Sequence, residues 1–298
     1  VPNRRSPLFY VGDKFKLLDQ LLPLFPEQVN NFYEPFVGGG SVAMNVSAKN
    51  FYLSDQLDPL ISIHNALASF KSPEELMMKL EALSKTHGLK ASYFGDQVKQ
   101  ELKKAHPKTY FAVRNKESFN ALRSHYNKSN PKDPLVLYLL VIFGFNRLLR
   151  FNSSGEFNVP VGNVDFNANT AAALADYVNW SKQSHPTFSV SDYKKALNRK
   201  FQVDDFVYVD PPYLIAEAEY NKSWGENQEQ ELLNVLDELS DKNVRWALSN
   251  ALVYRGRENV QLKKWASKYR VHRLRASYLN YHNNLDKDSG EVLVTNYA

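Results

Sequence analysis

The chain has 298 residues, 43% hydrophobic and 23% charged, with no cysteine at all. That balance is ordinary for a globular protein and excludes general disorder. The missing thiols exclude disulfides, iron–sulfur ligation, cysteine-type zinc sites and a thiol nucleophile. Lys and Arg outnumber Asp and Glu by 37 to 32, a net charge of +5 that leans towards polyanionic partners. No apolar run approaches the roughly 18 residues of a membrane span, and the start VPNRRSPLFY has no apolar signal core. A cytoplasmic protein with no membrane partner is the expectation.

Short apolar runs predict strands at Asn31–Val37, Phe51–Ser54, Thr187–Val190, Phe206–Val209 and Val244–Leu248. Helical spacing follows several of them, at Ser41–Val46, Pro59–Phe70 and Gln228–Leu239. Strands alternating with helices predict an α/β fold built on a parallel sheet. The late run Glu291–Tyr297 is expected to close that sheet as an edge strand. The middle of the chain differs. Lys71–His106 is Lys/Glu-rich with helical spacing, Leu135–Phe143 is apolar throughout and predicts a buried helix, and Phe143–Gly162 carries a Ser-Ser-Gly turn signal between extended stretches, a hairpin pattern. Residues 67–164 therefore look like a smaller domain inserted into a catalytic domain made of 1–66 and 165–298.

Two motifs carry chemistry. In Tyr33-Glu-Pro-Phe-Val-Gly-Gly-Gly-Ser41 a strand runs into three glycines before a helix, which lets backbone approach a ligand closely. Asp55 follows at the end of the next strand, where an acid commonly accepts from a ribose hydroxyl pair. No Gly-Lys pair exists anywhere, so a Walker phosphate loop is excluded. Glu34, just before the glycines, would repel a pyrophosphate and suits a cation. S-adenosylmethionine, with a ribose, a sulfonium and an ammonium, fits these electrostatics better than a nicotinamide dinucleotide. A Gly-rich turn with no ligand is the rival reading.

In Val207-Tyr-Val-Asp-Pro-Pro-Tyr-Leu214 a strand delivers Asp210 to its carboxyl end, where ligands of open α/β sheets bind. Pro211 and Pro212 stiffen the backbone, and Tyr213 offers an aromatic face. A carboxylate and a carbonyl held together are two acceptors, a match for the two hydrogens of an exocyclic amine. Paired in this way, the amine of a nucleobase is turned from a delocalised, poor nucleophile into a tetrahedral one whose lone pair can meet a methyl donor.

The whole set resembles the Dam-type (group alpha) DNA adenine-N6 methyltransferase family: Tyr10-Val-Gly-Asp-Lys14, Glu34-Pro-Phe-Val-Gly-Gly-Gly40, Asp55, Arg150-Phe-Asn-Ser-Ser-Gly-Glu-Phe-Asn-Val-Pro160, Asp192-Tyr193 and Asp210-Pro-Pro-Tyr213, in that order. Tyr220–Gln230 and the EVLVTNY ending are similar to the EcoRV-type modification methyltransferases. The resemblance implies a Rossmann-like S-adenosylmethionine-dependent methyltransferase sheet with an inserted, mostly helical DNA-recognition domain carrying a β-hairpin. It implies that Tyr10 and Lys14 close over S-adenosyl-L-methionine. Glu34, Phe36, Gly38 and Gly40 would hold its methionine part, Asp55 its ribose, and Asp192 with Tyr193 its adenine. Asp210, Pro211, Pro212 and Tyr213 would be catalytic, Asp210 bordering the cofactor as well and Tyr213 stacking on a flipped-out adenine. Phe145, Asn146, Arg150 and Asn152 would contact double-stranded DNA, Arg150 reading a base edge and Phe145 intercalating. Arg147 takes a position that is often Gly in the family.

Rival readings stand beside these. Asp55 and Asp192 also suit helix N-caps, Phe145 and Phe151 suit a core, and Arg245–Arg275 suits a solvated face. His125, His272 and His282 lack metal-ligand spacing, so no metal is expected. The implied reaction yields S-adenosyl-L-homocysteine, in a solitary enzyme or beside a restriction enzyme, from a monomer or a weak dimer on DNA. Methylation of an RNA adenine, of a protein glutamine or of cytosine N4, and a DNA-binding regulator without activity, are the alternatives.

Overall fold

A computed structural model describes residues 2–216, 224–275 and 290–298. Of the sequence expectations, His282 and the first part of Tyr220–Gln230 lie outside the described residues. The strands are β1 (Asn31–Glu34), β2 (Asn50–Asp55), β3 (Thr187–Val190), β4 (Phe206–Val209), β5 (Arg245–Tyr254), β6 (Arg257–Glu258), β7 (Arg270–Arg273) and β8 (Gly290–Thr295). The α-helices are α1 (Leu18–Leu21), α2 (Asp58–Ala68), α3 (Pro73–Thr86), α4 (Gln100–Ala105), α5 (Tyr110–Lys128), α6 (Pro134–Phe143), α7 (Ala168–Ser184), α8 (Tyr193–Leu197), α9 (Glu226–Asp241) and α10 (Val260–Ala266). Among the described residues no helix is long and apolar enough to cross a membrane. The chain forms two compact units.

One unit comprises Lys14–Val37, Asn45–Gln56 and Pro186–Ala298 and holds the whole sheet. The strand order is β3-β2-β1-β4-β5-β8-β7, with β6 pairing β5. The first five strands of that order run parallel, while β8 is antiparallel to both β5 and β7. The predicted parallel α/β sheet is therefore present, with one correction. Residues 291–295 of that run belong to β8, which lies between β5 and β7 and is not an edge strand; among the described residues β7 takes the edge. Its residues explain why: Glu291 to Thr295 are all buried, which an interior strand requires and an edge does not.

All four residues of β1 and of β4 are buried, as expected of central parallel strands covered on both faces. On one face α9 lays down Leu232, Leu233, Leu236 and Leu239, a helical stripe, against Val207, Val209, Trp246 and Leu248. On α9 the Gln228 side chain accepts from Gly225 N–H at 3.0 Å and closes its first turn. Trp246 stacks on Trp265 at 5.5 Å and donates its indole N–H to Ser240. The order 3-2-1-4 places the topological switch between β1 and β4, where their carboxyl ends diverge and a ligand crevice forms.

The other unit comprises Val1–Asp13, Gly38–Met44 and Leu57–His185. It is helical, and takes in α2 and α7 as well as the 67–164 span expected from the sequence. Its centre is α6, every residue of which from Leu135 to Phe143 is buried, packed on α2, α3 and α5. Asp133 starts it by accepting from Leu135 N–H at 2.8 Å. The predicted hairpin survives as two antiparallel bridges, Gly144 to Val161 and Phe151 to Phe157, without a continuous ladder. Two glycines allow its base to close. A Cβ on Gly144 would lie 2.6 Å from the Leu140 carbonyl, and one on Gly162 would strike the Gly144 carbonyl.

Candidate active site at the carboxyl end of β4

In the sheet unit β4 ends at Val209 and hands the chain to Asp210, Pro211 and Pro212. Beside it, β1 ends at Glu34, which is buried to 3% exposure. Two acids thus sit at the switch point. Lys14 Nζ lies 2.8 Å from Asp210 Oδ2 and 3.7 Å from Glu291 Oε1. The Tyr213 hydroxyl donates to Glu291 Oε1 at 2.9 Å, and Lys14 Nζ stands 5.1 Å from the centre of the Tyr213 ring. Behind them Tyr208 and Ser249 share a buried hydrogen bond of 2.8 Å. Asp210 Oδ1 is buried and accepts no hydrogen bond among the described residues. Burial pushes the Asp210 carboxyl up to about 6, against the downward pull of Lys14, and Glu291 adds to the rise.

Of the residues expected to hold a cofactor within this unit, Phe36, Asp192 and Tyr193 line one cleft, whereas Lys14, Glu34, Asp55 and Asp210 do not line it. Phe36 stacks on Tyr193 at 5.3 Å and meets Trp224 edge-on at 5.7 Å. These three rings, with Pro212, Asp192 and Gln228, line a cleft of about 170 Å³. Asp192 caps α8, accepting from Lys194 N–H at 2.8 Å, so the N-cap reading holds for its side chain, and α8 in turn presents Tyr193. Asp55 ends β2, and its carbonyl accepts from Ser191 N–H at 3.0 Å, which draws the β3–α8 turn to the β2 terminus. The α2 helix begins beyond it, with Leu57 as N-cap.

In the helical unit Tyr10 packs on the glycine run: a Cβ added to Gly39 would come within 2.9 Å of the Tyr10 Cβ. Phe145 is half exposed and Asn146 follows with φ of +51°. Arg147 has φ of +53°, the left-handed region glycine enters freely. Its guanidinium lies 3.8 Å over the Phe9 ring and bonds Thr170 at 3.3 Å. Arg150 Nε donates to Asn158 Oδ1 at 2.9 Å. Asn152 Oδ1 accepts from Ser154 and Glu156 N–H, so that side chain builds the turn. Phe151 packs edge-on against buried Phe157, a core role. His125 is exposed and His272 bonds Thr295 at 3.2 Å.

Sequence reasoning missed Glu291, which arrives from β8 and binds both Lys14 and Tyr213. The available signal was an acid at the start of an otherwise apolar strand, which an edge strand would also show.

A model of the D12 class N6 adenine-specific DNA methyltransferases matches residues 10–279. The chain is 35% identical over 303 residues to the Type II methyltransferase M.FokI of Planomicrobium okeanokoites, covering 99% of this chain and 43% of that one. It is 34% identical over 307 residues to the modification methylase StsI of Streptococcus sanguinis, covering 98% and 43% respectively. The DNA adenine methylase of Escherichia coli K12 is 27% identical over 280 residues, covering 91% and 87%. The chain thus spans less than half the length of the first two relatives. The match of the family model over nearly the whole chain means that it belongs to the D12 class N6 adenine-specific DNA methyltransferase family.

Proposed function

We propose that this chain transfers a methyl group from S-adenosylmethionine to the N6 amine of a flipped-out adenine in double-stranded DNA. The observation that carries this reading is Asp210. One of its oxygens is held by Lys14 while the other is buried and accepts no hydrogen bond among the described residues, at the strand end where α/β ligands bind. An exocyclic N–H is a donor of the right kind. Asp210 and the backbone carbonyl beside Pro211 would take the two N–H groups, pyramidalise the nitrogen and aim its lone pair.

When bound, S-adenosylmethionine supplies an electrophilic methyl and leaves as S-adenosylhomocysteine. The residues present fit it: Glu34 and Asp210 favour a cation, and the cleft walled by Phe36, Tyr193 and Trp224 suits a flat ring. In this reading Tyr10, Lys14, Glu34, Phe36, Gly38, Gly40, Asp55, Asp192, Tyr193 and Asp210 bind the cofactor. As the N–CH3 bond forms the nitrogen becomes acidic, and its proton passes to the acceptors that held it or to water. Asp210, with a carboxyl near 6, is ionised at neutral pH and ready to accept. Tyr213, its hydroxyl tied to Glu291, would stack on the extruded base.

Target reading falls to 67–164, with Phe145, Asn146, Arg150 and Asn152 at the DNA. The chemistry needs no metal, and the chain works on DNA inside the cell as a monomer or a weak dimer, as a restriction-modification partner or a solitary enzyme. Incubating the chain with duplex DNA and methyl-labelled S-adenosylmethionine, then digesting to nucleosides, tests this. Label in N6-methyladenine is expected; label in cytosine, or none, defeats the reading.

A further inference from the structure

The sequence places three glycines at 38–40, and each of their carbonyls has a donor. The Gly40 carbonyl accepts from Met44 N–H at 3.1 Å, the ordinary bond of a helical start. The other two are taken by buried side chains. Ser6 Oγ donates to the Gly39 carbonyl at 2.5 Å, and Ser6 is itself fixed by accepting from Leu8 N–H at 3.2 Å. On α2, His64 Nε2 lies 2.8 Å from the Gly38 carbonyl, and its Nδ1 lies 2.8 Å from the Tyr177 hydroxyl of α7. Ser6 and His64 are both fully buried.

The chemistry of these partners fixes the tautomer. A carbonyl only accepts, so the hydrogen of a neutral imidazole must sit on Nε2. Nδ1 is then an acceptor, and Tyr177 must donate to it. Burial holds the ring neutral by lowering it to about 4. In a trans peptide the carbonyl of one residue and the N–H of the next point in opposite directions. Tying back the Gly38 and Gly39 carbonyls therefore turns the N–H groups of Gly39 and Gly40 away from His64 and Ser6. Gly38 stands at φ of +48°, a left-handed conformation that glycine adopts without steric cost.

We propose that His64, locked by Tyr177, is a positioning residue for the cofactor: by holding the Gly38 carbonyl it presents the Gly39 N–H to the methionine end of S-adenosylmethionine. This rests on the methyltransferase reading above, because without that cofactor the glycine run has no ligand to be positioned for. His64 touches no substrate and acts only through the peptide it orients. A turn whose carbonyls were free to rotate would lose the amide direction on which a bound carboxylate depends.

Two substitutions separate this role from simple packing. A glutamine amide reaches about as far as Nε2, so His64→Gln keeps a donor for Gly38. An asparagine amide reaches only as far as Nδ1, so His64→Asn keeps a partner for Tyr177 and loses the donor. Calorimetric titration of the full chain with S-adenosylhomocysteine reads the outcome. His64→Gln should bind within about threefold of wild type, and His64→Asn about tenfold or more weakly, the worth of one lost hydrogen bond to a buried acceptor. Tyr177→Phe, which releases the tautomer lock, should fall between them, and serves with His64→Gln if His64→Asn does not fold. Equal affinity across wild type and the variants, or equal loss in His64→Gln and His64→Asn, overturns the proposal while leaving the methyltransferase reading intact. A wild-type chain that takes up no S-adenosylhomocysteine overturns both.

Discussion

Lys14 Nζ sits 2.8 Å from Asp210 Oδ2, yet the Asp210 carboxyl titrates higher than a free aspartate. Burial outweighs the ammonium because a carboxylate taken from water loses more than one neighbouring cation returns. The ion pair is therefore a strained arrangement, held by the fold at the point where the chemistry is proposed.

Raising that carboxyl from 3.8 to about 6 corresponds to about 3 kcal/mol in favour of the protonated form. The folded chain binds this proton more tightly than the unfolded chain does. The associated stability is thus present below pH 4 and lost as pH rises through about 6. Asp210→Asn should abolish methyl transfer and, in urea denaturation, be more stable than wild type at pH 8 by up to about 3 kcal/mol. The gap should close towards pH 4. A variant less stable than wild type at pH 8 contradicts the burial argument.

Glu291 accepts from Tyr213 and adds to the upward push on Asp210. Glu291→Gln keeps an acceptor for the Tyr213 hydroxyl and removes a negative charge. Its methylation rate should survive within about tenfold, and the acid limb of its pH–rate profile should move to lower pH. Glu291→Ala should lose more, since the phenol then loses this acceptor. An acid limb unmoved in Glu291→Gln separates Glu291 from the titration of Asp210.

Asp55→Ala should weaken S-adenosylhomocysteine binding roughly ten- to hundredfold, because a hydrogen bond to a charged group is worth about 1.5–3 kcal/mol. Unchanged affinity by calorimetry rejects the ribose assignment.

Arg150 is held by Asn158 in the 143–162 segment. If it reads guanine through O6 and N7, Arg150→Ala should cut methylation of the preferred site by about ten- to hundredfold, leaving non-specific binding nearly intact. Arg257→Ala, on exposed β6, should instead weaken all duplexes alike and lower the salt slope. Equal losses of specific and non-specific binding in Arg150→Ala would make it a phosphate clamp.

What was legible in the sequence was what local chemistry dictates. Glycines at 38–40 and prolines at 211–212 mark backbone demands that few other residues meet, so both turns stood out. The apolar run of α6 predicted a buried helix within one residue. What was not legible depended on partners distant in sequence. β7 reads as Arg-Val-His-Arg and takes its place only by pairing with β8. Glu291 enters the site from 81 positions after Asp210 (291 − 210), through an antiparallel strand whose neighbours no local pattern names. His64 carries no motif at all; its bond to Gly38 exists only once α2 is folded.

The interior position of β8 also sets an order of events during translation. A nascent chain that has emerged only as far as residue 289 contains the residues of β5 and β7 but lacks the strand that lies between them. Until then β5 keeps an unpaired edge, which is open to association with other chains. The same strand brings Glu291 to Lys14 and Tyr213. Completion of the sheet and completion of the acid cluster therefore fall at one moment of synthesis, and the partly made protein carries Asp210 without its full set of neighbours.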